Sequence, residues 1–123
     1  MPLPTKGWSA TASKQPQRAE LALDGDPATR WDTAGPMQKG DSFTLDLGAP
    51  RTFFKITMSV RASDDHPRGC EILLSNDGRN WGQPVTQGKG ERGRTRIVLP
   101  QPVTARFVKI VQTGNAGNYW SID

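Results

Sequence analysis

An acidic turn early in the chain has the residue types that bind a hard cation. Residues 24–29 read Asp-Gly-Asp-Pro-Ala-Thr and bring two carboxylates and a hydroxyl into one short segment. Calcium takes about six to eight oxygen ligands from carboxylates, carbonyls and hydroxyls. An Asx turn, in which Asp24 and Asp26 accept hydrogen bonds from nearby backbone amides, would explain the same residues without a metal. The sequence predicts calcium here, with the Asx turn as the alternative.

Three polar segments have the composition of a sugar-binding site. Such a site stacks the apolar face of a sugar on an aromatic ring, while charged and amide groups bond to its hydroxyls. The three segments span residues 32–41, 61–69 and 113–120. The second contains Arg61, two aspartates and the only histidine, His66, and the third places Tyr119 beside two glycines and two asparagines. We expect any ligand to bind at loops formed by these segments.

Motifs of the common enzyme classes are missing from the sequence. It has no Gly-x-Ser-x-Gly, no His-Glu-x-x-His and no phosphate-binding glycine motif. Asp64 and Asp65 are adjacent, whereas the carboxyl groups of a glycosidase flank the bond at about 5 to 9 Å. Cys70 lies in an apolar run and is interpreted as a buried filler, not a nucleophile. The sequence therefore predicts a protein that is not an enzyme.

Charge and cysteine content exclude several other classes. The chain has 123 residues and a net charge of +4, and its basic residues are dispersed except for Arg92, Arg94 and Arg96. That run is interpreted as a solvated face, with a nucleic-acid or lipid patch as the alternative. One cysteine and one histidine permit neither an internal disulfide nor a zinc site of the usual Cys/His type.

Nothing in the sequence has the pattern of a membrane span or a signal peptide. No apolar run approaches the roughly 18 residues that a span needs, and no basic stretch precedes an apolar segment at the start. We expect residues 1–6 to be a flexible segment and residues 7–123 to form one domain.

Short alternating runs indicate the strands that must position these loops. Apolar and polar residues alternate with the period of a half-buried strand, and turn residues bound each run. The runs are Ser-Phe-Thr-Leu-Asp-Leu at 42–47, a second at 52–60 with Phe54, Ile56, Met58 and Val60 on one face, and three more at 70–75, 96–100 and 106–112. The best helical segment is Gln17 to Leu23, one or two turns long. This pattern predicts an all-β antiparallel sandwich or jelly roll.

Five segments together resemble one family. They are ALDGDPATRWDT, SFTLDLG, HPRGCEILLSNDGRNWG, ARFVKIVQTG and YWSI, from residue 22 to residue 122. Their order and spacing resemble the discoidin domain, also called the coagulation factor five/eight type C domain, and its bacterial members among the family 32 carbohydrate-binding modules. The resemblance implies an antiparallel jelly-roll β-sandwich of eight strands, like the galactose-binding domains, with binding loops at one end.

The resemblance also implies which residues bind. A structural calcium would take the carboxylates of Asp24 and Asp26, the hydroxyl of Thr29, the carbonyl of Leu21 and a closing carboxylate matched only by Asp123. Weak sugar binding would use a second set of residues: Arg61, Asp64, Asp65, His66 and Tyr119. Trp31 would pack in the core beneath the acidic loop.

The implied function is a non-catalytic module that tethers a larger secreted or surface protein to carbohydrate. Its location would be extracellular, at the cell surface or periplasmic. The alternative from another class is a protein-interaction or spacer domain without sugar binding. Membrane-surface binding ranks last, because Met37 alone offers an apolar loop tip, and we expect no nucleic-acid partner.

Overall fold

Strands dominate the part of the chain that the structure describes. A computed structural model describes residues 7–23, 30–59 and 65–122. The strands are β1 Ser9–Ala12, β2 Trp31–Asp32, β3 Ser42–Ser59, β4 Cys70–Ser75, β5 Thr86–Gly88, β6 Arg94–Gln112 and β7 Ser121–Ile122. A short 3₁₀ helix, Pro16–Ala22, follows β1 and occupies the place of the predicted helical turns. No helix in the described part of the chain is long and apolar enough to cross a bilayer.

The strands form two antiparallel sheets. The larger has the order β1-β3-β6-β4-β5, and the smaller joins β2 to β7. The all-β antiparallel class is therefore confirmed. Two of the seven strands that the described residues form are unusually long, 18 residues in β3 and 19 in β6. Each of them contains two of the runs seen in the sequence, and the expected count of eight strands stays a prediction.

The pairing of β3 with β6 is interrupted twice, and this divides each long strand into halves. Register shifts fall between Asp46 and Arg51 and between Phe53 and Lys55 of β3. Phe43 and Leu45 from the first half and Ile56 and Met58 from the second all line one cavity of about 180 Å³. The two halves of the strand pair therefore face each other across the core, as the layers of a sandwich do.

The second register shift overturns one expectation. The alternation places Phe54 on the inner face with Ile56 and Met58, but Phe54 is 55% exposed. Phe53 packs against the core instead. An irregularity in pairing changes which residues face inward, so a period-2 pattern that runs across it assigns the face wrongly.

Trp31 lies at the centre of the core. Its side chain is fully buried, and its ring centroid lies 5.0 Å from that of Phe43 and 5.1 Å from that of Trp120. The indole N–H donates to the Lys14 carbonyl at 2.8 Å, so its polar atom is satisfied. The expected core role of Trp31 is confirmed.

Candidate functional site

Three segments meet at one end of the sandwich, and we call the surface they form the loop face. It comprises residues 32–41 between β2 and β3, residues 65–69 before β4, and residues 113–120 between β6 and β7. These are the described parts of the three segments that the sequence singles out. Because each borders the end of a strand on the same side of the sandwich, the two sheets bring them together.

Backbone hydrogen bonds join the first and third segments. The Met37 N–H donates to the Asn118 carbonyl at 2.8 Å, and the Ala116 N–H donates to the Met37 carbonyl at 3.3 Å. The Lys39 N–H donates to Oδ1 of Asn115 at 2.8 Å. Met37 itself is 1% exposed. The expectation that it projects from a loop tip is wrong, because both of its backbone polar groups bond to the neighbouring loop and draw the side chain into the core.

Asp65 joins the second segment to β7. Its carbonyl accepts the Ser121 N–H at 3.0 Å, and its Oδ2 accepts the Ser121 hydroxyl at 2.7 Å. The side chain is half-buried. One carboxylate oxygen of Asp65 is therefore committed to holding the loop, and the other has acceptor capacity left for a ligand.

Arg68 and Asn118 form the polar link at the surface between the second and third segments. The Arg68 guanidinium donates from Nη1 to the His66 carbonyl at 2.6 Å and from Nη2 to Oδ1 of Asn118 at 3.1 Å. His66 is half-buried beside the buried Pro67. Tyr119 follows Asn118 in the chain and is 40% exposed, so part of its ring is accessible to a ligand.

Gln112 holds the loop face from below. Its side chain is fully buried at the end of β6, and Oε1 accepts the N–H groups of Arg68, Gly69 and Gly114 at 3.1, 3.2 and 3.3 Å. A single carbonyl oxygen thus fixes the end of one loop and the start of another. Among the described residues, its Nε2 is one of three buried side-chain atoms that have no hydrogen-bond partner.

The carboxylates of the first segment are engaged in holding their own loop. Asp41 is 5% exposed, pairs with the Lys14 ammonium at 3.2 Å and accepts the Gln38 N–H at 2.9 Å. Oδ1 of Asp32 accepts from the Gln15 amide at 2.7 Å. These contacts fix the shape of the segment and leave few of its charged groups for a ligand.

Cys70 is placed where it cannot act as a nucleophile at neutral pH. It lies in β4 with a fully buried side chain, and burial raises the pKa of the thiol to about 11. The reactive form of cysteine is the thiolate, so the thiol stays inert. The interpretation of Cys70 as a core filler is confirmed.

Several residues expected to bind ligands lie outside the described residues. For the sugar these are Arg61 and Asp64, and for calcium they are Asp24, Asp26, Thr29 and Asp123. Leu21 is described and lies in the last turn of the 3₁₀ helix, where carbonyls lack partners within the helix. Within the described ranges, no group of three or more His, Cys, Asp or Glu side chains could hold a metal.

Sequence reasoning missed two residues of the loop face. Arg68 was not singled out among the polar residues of its segment, and no local pattern distinguishes it. Gln112 had a usable signal, because it continues the alternation of Val108 and Ile110 and therefore falls on the buried face. A polar residue at an inward position needs hydrogen-bond partners, and here the partners belong to two loops.

Comparison with known families agrees with this geometry. The F5/8 type C domain family matches residues 7–123. The chain belongs to this family. The resemblance of the five sequence segments to the F5/8 type C domain is thus confirmed.

Several solved family 32 carbohydrate-binding modules are similar to this F5/8 type C domain in shape. The family 32 carbohydrate-binding module of NanJ from C. perfringens, in complex with galactose, is 25% identical with a TM-score of 0.80, over 97% of this chain and 91% of that one. A family 32 module from Clostridium perfringens in complex with GalNAc-β-1,3-galactose is 26% identical with a TM-score of 0.80, over 98% and 94%. The family 32 module of AlyQ, in complex with 4,5-unsaturated mannuronic acid, is 27% identical with a TM-score of 0.74, over 93% and 88%.

The curated relatives are larger proteins. A galactose oxidase from Gibberella zeae is 27% identical over 93% of this chain, and a sialidase from Micromonospora viridifaciens is 27% identical over 87% of it. The F5/8 type C domain spans 18% of the length of each. It therefore matches one part of these proteins.

Proposed function

We propose that this F5/8 type C domain is a non-catalytic carbohydrate-binding module that tethers a larger extracellular, cell-surface or periplasmic protein to glycan. The observation that supports the proposal most is the loop face itself, where Arg68 bonds to the amide of Asn118 and the next residue, Tyr119, is exposed, on loops that the buried Gln112 joins. Similar modules have been solved in complex with sugars. The curated relatives with enzyme names, a galactose oxidase and a sialidase, match this domain over only a small part of their own length.

The chemistry of the loop face suits a sugar. The ring of Tyr119 offers a stacking surface, while Asp65 and Asn118 offer acceptors for hydroxyl groups. Arg61, Asp64 and His66 are proposed to complete the site. A shallow site that keeps its water contacts has a dissociation constant of about 0.1 to 1 mM, which corresponds to about 4 to 5.5 kcal/mol. Binding of this strength serves a tethered module, because attachment raises local concentration.

Calcium is proposed as a structural ion bound by the acidic turn at residues 24–29. Its ligands would be the side chains of Asp24, Asp26 and Thr29, with the carbonyl of Leu21 and a closing carboxylate from Asp123. Leu21 fits this role through its place at the carbonyl end of the 3₁₀ helix. The ion would neutralise the acidic loop and fix its shape, and no step of sugar recognition is assigned to it.

The proposal is tested with a glycan array followed by calorimetric titration of every sugar that binds. We expect the parent to bind a ligand with millimolar or tighter affinity. Binding should become undetectable in Arg61→Ala and Tyr119→Ala, because the loss of one or two contacts of about 1 kcal/mol each takes an already weak affinity below the detection limit. Arg79→Ala, an exposed arginine beyond β4, serves as the matched control and should bind as the parent does. If no glycan binds at millimolar concentration, the domain is a spacer or protein-interaction domain instead.

A further inference from the structure

The second halves of β3 and β6 expose a face that is separate from the loop face. In this part of the pair, Lys55 lies opposite Val98, Thr57 opposite Arg96 and Ser59 opposite Arg94. The residues between them, such as Met58, Thr95 and Ile97, are buried. Since side chains alternate along a strand, these three opposed pairs share the outer face. We call them the basic strip: Lys55, Thr57, Ser59, Arg94, Arg96 and Val98.

The charge of the basic strip has one sign. Lys55, Arg94 and Arg96 are exposed, and none of the six positions is acidic. Elsewhere in the described residues cations pair with carboxylates, as Arg106 does with Asp46 at 2.8 Å and Lys14 does with Asp41. None of the three strip cations makes such a pair with a described carboxylate. Their charges are therefore available to an anionic partner.

The cations are arranged in a line. Alternate residues of a strand lie about 6.6 to 6.8 Å apart, so Arg94, Arg96 and Val98 form a straight row, and Lys55 stands beside its end on the neighbouring strand, about 4.8 Å away. Val98 is 61% exposed and Phe54, in the irregularity next to Lys55, is 55% exposed. The row of charges thus ends in accessible apolar surface.

We propose that the basic strip binds a linear polyuronate, a polysaccharide whose sugars carry carboxylates. Arginine binds carboxylate through two parallel hydrogen bonds, and a chain with regularly spaced carboxylates can follow the row of cations. The apolar faces of the sugar rings would lie on Val98 and Phe54 at its end. This site is separate in residues from the loop face, and the proposal does not depend on sugar binding there.

Two other polyanionic partners suit the strip less well. Single-stranded nucleic acid is bound on platforms of successive aromatic side chains, and here Phe54 is the one aromatic beside the strip among the described residues. An anionic membrane favours apolar side chains that insert into the interface, whereas Val98 is short and lies within a strand.

The experiment compares two double variants that lose the same charge. Arg94→Gln with Arg96→Gln removes the row, and Arg79→Gln with Lys89→Gln removes two exposed cations elsewhere. Binding of soluble alginate oligosaccharides is measured for both and for the parent, in buffer without added calcium and at two salt concentrations. Dextran, a single-stranded DNA and phosphatidylserine vesicles are the comparison probes. Thermal unfolding checks that each variant is folded, and the pair Arg94→Lys with Arg96→Lys keeps the charge if the glutamine pair is not.

We expect the parent to bind alginate and to lose affinity as salt rises. The strip variant should lose about tenfold in affinity, since each exposed charge contact contributes modestly, while the control variant stays within about twofold. The lysine pair should fall between them, because it keeps the charge but loses the paired hydrogen bonds of the guanidinium. Equal losses in both glutamine variants, equal binding of dextran, or binding of DNA or vesicles in preference to alginate would overturn the proposal. Any sugar found for the loop face should bind the strip variant unchanged, which separates this proposal from the first.

Discussion

At the scale of single residues, the stability of the domain depends on a few large buried side chains. Trp31 is surrounded by Phe43 and Trp120 at ring distances of 5.0 and 5.1 Å, and its removal would leave a void that rigid neighbours fill poorly. Cys70 is as fully buried but is a small side chain in the middle of a sheet. Equal burial therefore does not mean equal energetic weight.

Truncation of these two residues should have different costs. Trp31→Ala is expected to lower the free energy of unfolding by about 3 to 5 kcal/mol, and Cys70→Ala should cost clearly less because little area is lost. Denaturant unfolding of both variants measures the difference. A larger loss in Cys70→Ala than in Trp31→Ala would contradict the assignment of Trp31 to the centre of the core.

The thiol of Cys70 should also give a characteristic pH dependence. Burial raises its pKa to about 11, while an unfolded cysteine titrates near about 8.5. Below pH 8.5 the thiol is protonated in both the folded and the unfolded state, so its contribution to the free energy of unfolding is fully present. As the pH rises towards 11 the unfolded chain ionises first, and this contribution is lost. At pH 10 the parent should therefore have lost about 2 kcal/mol more than Cys70→Ala, relative to pH 7. Unfolding curves that fall in parallel would refute this.

At the scale of elements, close backbone contacts set the position of the loops. A Cβ on Gly90 would lie 1.7 Å from the Pro67 carbonyl oxygen, and one on Gly114 would lie 2.8 Å from Cβ of Arg68. The segment from Asp65 to Gly69 is thus wedged between the ends of β5 and β6. Only glycine at these positions lets the strands approach the loop so closely.

We therefore expect Gly90→Ala to weaken ligand binding without touching the ligand. The added methyl group must displace Pro67, and with it the neighbouring Asp65 and His66, so the affinity for a loop-face sugar should fall at least about tenfold. Gly117→Ala is the control, because a Cβ there meets nothing within 4 Å. Both variants are titrated with the same sugar. Equal affinities would show that the close contact between Gly90 and Pro67 has no effect on ligand binding.

The sequence predicts the positions of the strands better than it predicts the register shifts within them or the contacts between distant loops. Alternation and turn residues locate the strands and the all-β class, because half-buried strands leave a local signature. The exposure of Phe54 and the burial of Met37 are not predicted, since one depends on a register shift between two distant strands and the other on hydrogen bonds to a loop about eighty residues away. The three loops are recognisable by composition, but the Arg68 and Asn118 link between them arises only on folding.

At the scale of the whole molecule, the sandwich places a polar loop face at one end and a basic strip on one side. Both depend on the same pair of long strands, since Gln112 at the end of β6 holds the loops and Arg94 at its beginning starts the strip. A module of this kind presents two different surfaces to a polymer. The proposed calcium ion bears on the stability of the entire sandwich.

Calcium is expected to stabilise the folded protein. A ligand that binds only the native state adds about 2.7 kcal/mol when its free concentration is 100 times its dissociation constant. The thermal midpoint should therefore rise with calcium relative to chelator in the parent, and this rise should be lost in Asp24→Ala. Identical midpoints in the parent, or a variant as sensitive to calcium as the parent, would leave the Asx turn as the explanation of the acidic loop.

The most direct test of the carbohydrate-binding function is an NMR titration of the ¹⁵N-labelled domain with the sugar that binds in the glycan array, or with galactose and an acidic sugar if the array finds none. We predict saturable shifts of the backbone amides in residues 65–69 and 113–120, with those of Asn118 and Tyr119 among the largest, while the amides of β1 stay unchanged. Absence of shifts at millimolar sugar, or shifts that avoid the loop face, would contradict the account.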